Sequence, residues 1–106
     1  MFPDCPVRNV LSRMTDKWTL LVLYTLEHKE TLRFNDIRRA IPDISQKSLT
    51  VTLRSMESDG LVSRQVTLAV PVKVEYSLTE TGKSLMPALT ALIAWGKEHF
   101  DEVVTD

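Results

Sequence analysis

Apolar residues recur at helical spacing in the first part of the chain and predict three helices. The first covers residues 6–14, where a proline suits the opening position of a helix because its missing N–H has no intrahelical partner there. The second covers residues 17 to about 26 behind the capping residue Asp16, and it is apolar on most sides, so we expect it at the centre of the fold. The third covers residues 33–40 and ends before Pro42.

A fourth helix is predicted over residues 45–59, because Ser45 is a good N-cap and Gly60 can end a helix in the left-handed conformation. Its inward stripe consists of Leu49, Leu53 and Met56. The opposite face is polar and partly basic, and it carries Lys47, Thr50, Val51, Arg54 and Ser58. The helix therefore has one side for a core and one side for a polar partner.

After Gly60 the periodicity changes from helical to roughly alternating. Residues 61–68 and 73–78 are predicted to be the two strands of a hairpin. Thr79 can cap a last helix that continues to about residue 103, and Pro87 should kink or break it. The apolar stripe of this helix is Leu85, Leu89, Leu92, Ile93, Gly96, Phe100 and Val103. This stripe either completes the core of one chain or pairs with a second copy of the chain. Its length, which exceeds that of a compact three-helix core, favours pairing.

This order of elements predicts a mostly α fold with a small β-hairpin, a winged helix-turn-helix with additional N- and C-terminal helices. We expect a single domain over residues 1–106, with the recognition helix at 45–59 and the wing at 61–78. In this fold the recognition helix enters the major groove, and donors and acceptors near its N-terminus read base edges. The expected base-contacting residues are Gln46, Lys47, Ser48 and Thr50. The expected phosphate-contacting residues are Arg33, Arg38, Arg39, Arg54, Arg64 and Lys73.

Each of these polar residues, taken alone, is more often a solvated surface group. The prediction of DNA binding therefore depends on their grouping in one segment of this fold. The net charge of −1 is unusual for a DNA-binding protein, but the charge is unevenly distributed. Residues 33–54 have five basic and two acidic side chains, whereas residues 75–106 have two basic and six acidic ones. Because phosphates respond to local charge, the first segment, at +3, can face DNA while the second, at −4, faces away.

Six short motifs make the chain resemble the HxlR-type regulators of bacteria. In chain order they are Cys5-Pro6, Lys17-Trp18-Thr19-Leu20-Leu21, Arg33-Phe34-Asn35-Asp36-Ile37-Arg38-Arg39, Ile44-Ser45-Gln46-Lys47-Ser48-Leu49-Thr50, Asp59-Gly60-Leu61-Val62 and Val74-Glu75-Tyr76-Ser77-Leu78-Thr79. Each motif is weak evidence by itself, but their order and spacing together are specific. The chain departs from the family's pattern at Thr15-Asp16, Asp43, Thr67 and Val70-Pro71-Val72, of which the last two concern the wing contacts.

The resemblance implies a dimeric repressor or activator whose first and last helices, within residues 1–14 and 85–104, form most of the dimer interface. It also implies that the helix starting near Ser45 is the recognition helix. The predicted partners are therefore a second copy of the chain and double-stranded DNA. In a symmetric homodimer the two recognition helices would enter successive major grooves of a pseudo-palindromic operator, about one helical turn apart.

Cys5 is a candidate redox or electrophile sensor, since some members of the family sense oxidants, quinones or aldehydes through a cysteine at the matching position. A thiol just before Pro6 would lie at a helix N-terminus, where partial positive charge favours the thiolate. Arg8 would strengthen this effect and Asp4 would oppose it. The alternative is a small apolar side chain buried in the dimer interface, and the sequence leaves both interpretations open.

Catalytic and metal-binding functions find little support in the sequence. His28 and His99 lie far apart, and one cysteine adds no spaced ligand set, so we expect neither a metal nor another cofactor. Three glycines form no phosphate-binding loop, and no nucleophile stands beside a positioned base, so we expect no enzyme. Trp18 and Trp95 are interpreted as core or interface anchors rather than as ligand-stacking groups.

The chain ends and apolar runs bear on location. The first ten residues lack the pattern of a secretion signal, a single cysteine gives no sign of an oxidising compartment, and the apolar runs are too short to span a bilayer. We therefore expect a cytoplasmic protein without a membrane partner, located on the nucleoid when it is bound to DNA. The main alternative is a winged helix that binds another protein and does not read DNA.

Overall fold

Helices and one β-hairpin make up the part of the chain that the structure describes. The computed structural model describes residues 6–14 and 16–103, and side chains over 7–12 and 16–101. The elements are α1 Pro6–Met14, α2 Lys17–Glu27, α3 Phe34–Ala40, α4 Gln46–Ser58, β1 Val62–Thr67, β2 Lys73–Leu78, α5 Glu80–Glu98 and α6 Phe100–Val103. The predicted order of four helices, a hairpin and a final helical segment is confirmed.

Helix α2 lies at the centre, as its apolar composition predicts. The Asp16 carboxylate caps it by accepting hydrogen bonds from the backbone N–H groups of Trp18 and Thr19 at 3.1 and 3.3 Å. Around it, α3, α4, α5 and β2 are packed against its surface. The buried apolar residues of this core are Val22, Leu23, Leu26, Ile37, Ile41, Ile44, Leu49, Leu53, Met56, Leu61, Val62, Met86 and Leu89.

The end of α4 is hydrogen-bonded to the start of α5 around Gly60. This glycine has φ +80°, and the Leu61 N–H donates to the Met56 carbonyl at 2.9 Å, which is the bonding pattern of a Schellman helix end. The Thr79 hydroxyl donates to the Gly60 carbonyl at 2.6 Å and accepts from the Gly82 N–H at 3.0 Å. Thr79 therefore caps α5 and at the same time holds it against the end of α4. The predicted roles of Gly60 and Thr79 are confirmed.

The wing is a regular antiparallel hairpin in which Val62 faces Leu78 and Thr67 faces Lys73. The strands are slightly shorter than predicted on the β1 side, because Leu61 belongs to the helix end described above. A bridge also joins the wing to the loop before α3: the N–H of Leu32 donates to the Tyr76 carbonyl at 2.9 Å, and the Tyr76 N–H donates to the Leu32 carbonyl at 2.8 Å.

Helix α4 is one residue shorter at each end than predicted, and two other helix boundaries differ for physical reasons. Helix α3 begins at Phe34 rather than Arg33, because Arg33 has extended backbone angles and its N–H donates to the Asp36 carboxylate at 3.2 Å. Helix α5 passes through Pro87 without a break and ends at Glu98, so the predicted break at Pro87 is wrong. Pro87 lies on the exposed side of α5, where the carbonyl that loses a helical partner can bond to water.

The apolar stripe of α5 divides into two parts. Leu89 is buried, and Leu85 and Ile93 pack against the core. Further along, Leu92 and Phe100 are exposed. Trp95 is 52% exposed, which excludes it from the core of this chain, and its ring stacks on His99 at 4.4 Å between centroids. The near half of the stripe thus completes the monomer core, while the far half presents an apolar surface.

Among the described helices, none combines the length and apolar character needed to cross a membrane.

Candidate nucleic-acid interface

Helix α4 presents one face to the core and leaves the other accessible. Its N-terminus is capped by the Ser45 hydroxyl, which accepts from the Ser48 N–H at 3.0 Å, as predicted. Burial of the Leu49 and Leu53 side chains holds the helix in place, at about 2 kcal/mol for each leucine by apolar area. Lys47 and Arg54 are exposed on the other side, and Gln46 is exposed in the first turn. The accessible part of α4 therefore offers an amide, an ammonium group and a guanidinium group to a partner.

Two of the predicted base-contacting residues are less available than the sequence suggests. Ser48 and Thr50 are half-buried. The Thr50 hydroxyl donates to the Gln46 carbonyl at 2.9 Å, so its proton is used within the helix and its oxygen is left to accept. Such a bond back to the preceding turn is common for threonine in helices, but it depends on the rotamer, which the sequence does not give.

A groove of about 580 Å³ lies along one side of α4. It separates the exposed face of α4 from the start of α2 and part of α1. Its lining is mainly polar and consists of Ser12, Asp16, Trp18, Thr19, Lys47, Ser48, Val51, Thr52 and Ser55. The Lys17 ammonium lies 4.2 Å from the centroid of the Trp18 ring, a cation–π contact that places a further positive charge close to the Trp18 edge of this groove.

A cleft of about 410 Å³ lies on the wing side of α4. Its lining residues are Phe34, Thr50, Arg54, Glu57, Arg64 and Tyr76. It brings together Arg54 of α4 and Arg64 of β1, which lie far apart in the sequence and were both predicted to contact phosphates. A negatively charged backbone lying over this cleft would meet both guanidinium groups, although Glu57 offsets part of their charge.

The three arginines of the α3 region are exposed at the surface. The Arg39 guanidinium pairs with the Asp36 carboxylate at 2.6 Å. The backbone N–H of Arg33, which donates to Asp36, lowers the pKa of that carboxyl below its usual value, and the Arg39 side chain lowers it further. Asp36 is therefore a carboxylate at neutral pH and offsets part of the charge of Arg39. Among the residues with described side chains, no acidic group forms an ion pair with Arg38, so this arginine adds its charge to the surface.

Lys73 differs from the other predicted phosphate contacts because an acidic neighbour compensates it. Its ammonium lies 3.6 Å from the Glu75 carboxylate, two residues along β2 and on the same face of the strand. Glu75 also accepts a hydrogen bond from the Thr31 hydroxyl at 3.1 Å. The sequence showed Lys73 as one more positive charge of the wing, but strand geometry places Lys73 and Glu75 side by side.

Val51 is a further candidate residue of this surface that was not predicted from the sequence. It was placed on the outer face of α4 but not among the site residues, and it is 59% exposed. The available signal was an apolar residue about one turn after Lys47 on an otherwise polar face. Cys5, the predicted sensor, lies outside the described residues. Over the residues with described side chains, no three His, Cys, Asp or Glu groups are close enough to hold a metal ion.

Comparisons with known proteins agree with this geometry. The family model described as HxlR-like helix-turn-helix matches residues 13–104. An uncharacterized HTH-type transcriptional regulator of Methanothermobacter thermautotrophicus is 50% identical over 95 residues, which is 90% of this chain and 72% of that protein. The relationship is therefore visible in sequence along almost the whole chain.

Two solved structures share the fold at substantial identity. The redox regulator HypR in its reduced form has a TM-score of 0.87 at 40% identity, over 95% of this chain and 99% of that one. The reduced form of the transcriptional regulator YodB from B. subtilis has a TM-score of 0.78 at 34% identity, over 95% of both chains. HypR is also known in an oxidized form, and YodB in a diamide-treated form. The chain therefore belongs to the HxlR-like helix-turn-helix family of transcriptional regulators.

Proposed function

We propose that this protein is a homodimeric transcription regulator that reads a pseudo-palindromic operator with α4 in the major groove. The observation that carries the proposal is the two-sided construction of α4. Leu49 and Leu53 anchor it in the core, Lys47 and Arg54 stand exposed on the side away from the core, and Gln46 is exposed in the first turn. A helix held this firmly from behind can present its first turns to base edges without rearrangement.

The proposed contacts fall into two classes. Base edges, or the backbone next to them, are contacted by Gln46, Lys47, Ser48 and Thr50, with Thr50 limited to accepting. Phosphates are contacted by Arg33, Arg38, Arg39, Arg54 and Lys73, among which Arg39 and Lys73 already have acidic neighbours. Arg54 is the strongest phosphate candidate because it shares the wing-side cleft with Arg64.

The homodimer is supported by apolar side chains that the single chain leaves uncovered. Val7 and Val10 are exposed on α1, and Leu92 and Trp95 are exposed on the far half of α5. Apolar surface of this kind on two helices is typical of an interface with a second copy. Sedimentation equilibrium should give a dimer, and Leu92→Glu should shift it toward the monomer. A wild-type monomer at micromolar concentration would contradict this part of the proposal.

Salt dependence of duplex binding tests the phosphate contacts. Each contact contributes about −0.9 to the slope of log K against log salt, so Arg54→Ala, which removes two contacts per dimer, should make the slope shallower by about 2. Lys83→Ala is the matched control, because Lys83 is an exposed cation on α5 in a groove formed with the end of α2. Equal slopes for the two variants would contradict the role of Arg54, and an absence of salt-sensitive duplex binding would favour a protein-binding winged helix.

Sequence preference tests the orientation of α4. Operators selected from a random duplex library should differ between wild type and Gln46→Ala or Lys47→Ala at positions within each half-site. Arg54→Ala should weaken binding to all duplexes and leave the preferred sequence unchanged. If changing both Gln46 and Lys47 left the selected sequence the same, α4 would not enter the groove by its N-terminus.

Thiol chemistry at Cys5 is a second proposed function, supported by the similarity to HypR and YodB, which are known in forms that differ in oxidation or diamide treatment. With one cysteine in each chain, diamide can join two protomers through Cys5 or leave an adduct on each. Diamide should change operator affinity of wild type and leave Cys5→Ser unaffected. A response of Cys5→Ser equal to that of wild type would rule out Cys5, and no response in wild type would rule out a thiol switch.

A further inference from the structure

Val51 is an apolar side chain in the middle of a polar, exposed helix face. It lies one turn after Lys47 and one turn before Ser55, and 59% of it is exposed. The core positions of α4 are already filled by Leu49 and Leu53. Valine is also a weaker helix former than alanine, because its branched Cβ restricts the side chain. Neither core packing nor helix formation accounts for a valine here.

The chemistry of the major groove offers one partner for such a side chain. All four bases present hydrogen-bonding groups on their major-groove edges, and a valine that covered such a group would leave it without a partner. Thymine alone presents a methyl group, at C5. On the basis of the proposed function, we propose that Val51 is a specificity-determining residue that selects a thymine in each half-site by contact with its methyl group.

The neighbours of Val51 are consistent with this assignment. Lys47 and Val51 line the same groove, about 6 Å apart along the helix axis, so both side chains can reach the same half-site. Thr50, the adjacent residue with a methyl group, lies in the cleft on the wing side, and its hydroxyl is bonded to Gln46. The selected thymine should therefore lie in the same half-site as the position that responds to substitution of Lys47.

The test removes the thymine methyl and the valine separately. The operator is first obtained by selection from a random duplex library with the full chain, and each thymine pair related by the operator symmetry is then replaced by deoxyuridine. Affinities are measured by fluorescence anisotropy for wild type, Val51→Ala and the control Ser55→Ala. Ser55 lies on the same exposed side of α4, one turn further, and alanine at position 51 favours the helix, so both variants should stay folded.

For wild type, one symmetric pair of deoxyuridines should weaken binding about tenfold, about three- to fourfold for each methyl withdrawn from apolar contact. Val51→Ala should reduce the difference in affinity between the thymine and deoxyuridine duplexes to less than about twofold. Ser55→Ala should keep the wild-type difference, even if it binds both duplexes more weakly. The inference is overturned if no deoxyuridine substitution weakens binding by wild type, or if Val51→Ala is weakened as much as wild type. In either case, sequence-selective binding by wild type would leave the proposed function intact. Failure to recover any preferred duplex would instead reject both.

Discussion

Replacement of Thr79 by valine should weaken the connection between α4 and α5. The Thr79 hydroxyl has two roles, since it accepts from the Gly82 N–H at the start of α5 and donates to the Gly60 carbonyl at the end of α4. Valine keeps the branched shape of threonine and removes only the hydroxyl. Serine keeps the hydroxyl and removes only the methyl group, so it is the matched control.

The expected loss follows from the two hydrogen bonds. Removal of an N-cap hydroxyl lowers the free energy of unfolding by about 1 kcal/mol. Loss of the bond to Gly60 adds about 0.5 to 1 kcal/mol, at the low end of the usual range because Gly60 is exposed and water can replace the hydroxyl. We therefore expect Thr79→Val to lower the free energy of unfolding by about 1.5 to 2 kcal/mol, and Thr79→Ser by less than about 0.5 kcal/mol.

Urea denaturation followed by circular dichroism measures this difference. With an m-value of about 2 kcal/mol per molar urea, the midpoint for Thr79→Val should fall by close to 1 M, and all variants must be compared at one protein concentration because a dimer is stabilised by association. If Thr79→Val and Thr79→Ser unfold at the same urea concentration, the hydroxyl does not hold α5 to α4, and the reasoning is refuted.

Three further predictions concern single positions. Gly82→Ala should lower the free energy of unfolding by at least about 2 kcal/mol, because a Cβ atom there would overlap the Leu61 carbonyl oxygen. An unchanged urea midpoint would show that α5 can shift away from Leu61. Gly60→Ala should lower it by about 1 kcal/mol, since φ is +80°, and a stabilised variant would exclude the left-handed conformation. Asp36 has a lowered pKa, so its contribution is present above about pH 4 and is lost as the pH falls through the folded-state pKa. Asp36→Asn should therefore be less stable than wild type at pH 7 and equal to it near about pH 2, and a difference that persists at low pH would contradict this origin.

The parts of the fold that depend on local chemistry could be predicted from the sequence. Asp16, Ser45 and Thr79 are capping residues because their short side chains reach the backbone N–H groups of the next turn, whatever the rest of the chain does. Gly60 ends α4 for a similarly local reason. The change from helical to alternating spacing of apolar residues after Gly60 was enough to predict the ends of both wing strands to within one residue.

The parts that depend on tertiary packing or on rotamers could not be predicted in the same way. Pro87 was expected to break or kink a helix, and the break does not occur, because α5 buries Met86 and Leu89 on either side of the proline, which outweighs one lost backbone hydrogen bond. The pairing of Arg39 with Asp36 and of Lys73 with Glu75 reduces charges that a count of basic residues treats as equal. The partial burial of Ser48 follows from the approach of the start of α2, which no local pattern reveals.

The two-bond bridge between Leu32 and Tyr76 has a consequence for the speed of operator binding. It ties the wing to the segment that leads into α3, so the wing and the helix-turn-helix keep one relative arrangement before any DNA is present. Association then immobilises few additional backbone torsions, and little conformational entropy is lost on binding. Complex formation should be governed by electrostatic encounter and orientation rather than by a slow rearrangement of the protein, so changes in operator sequence should alter the lifetime of the complex more than its rate of formation.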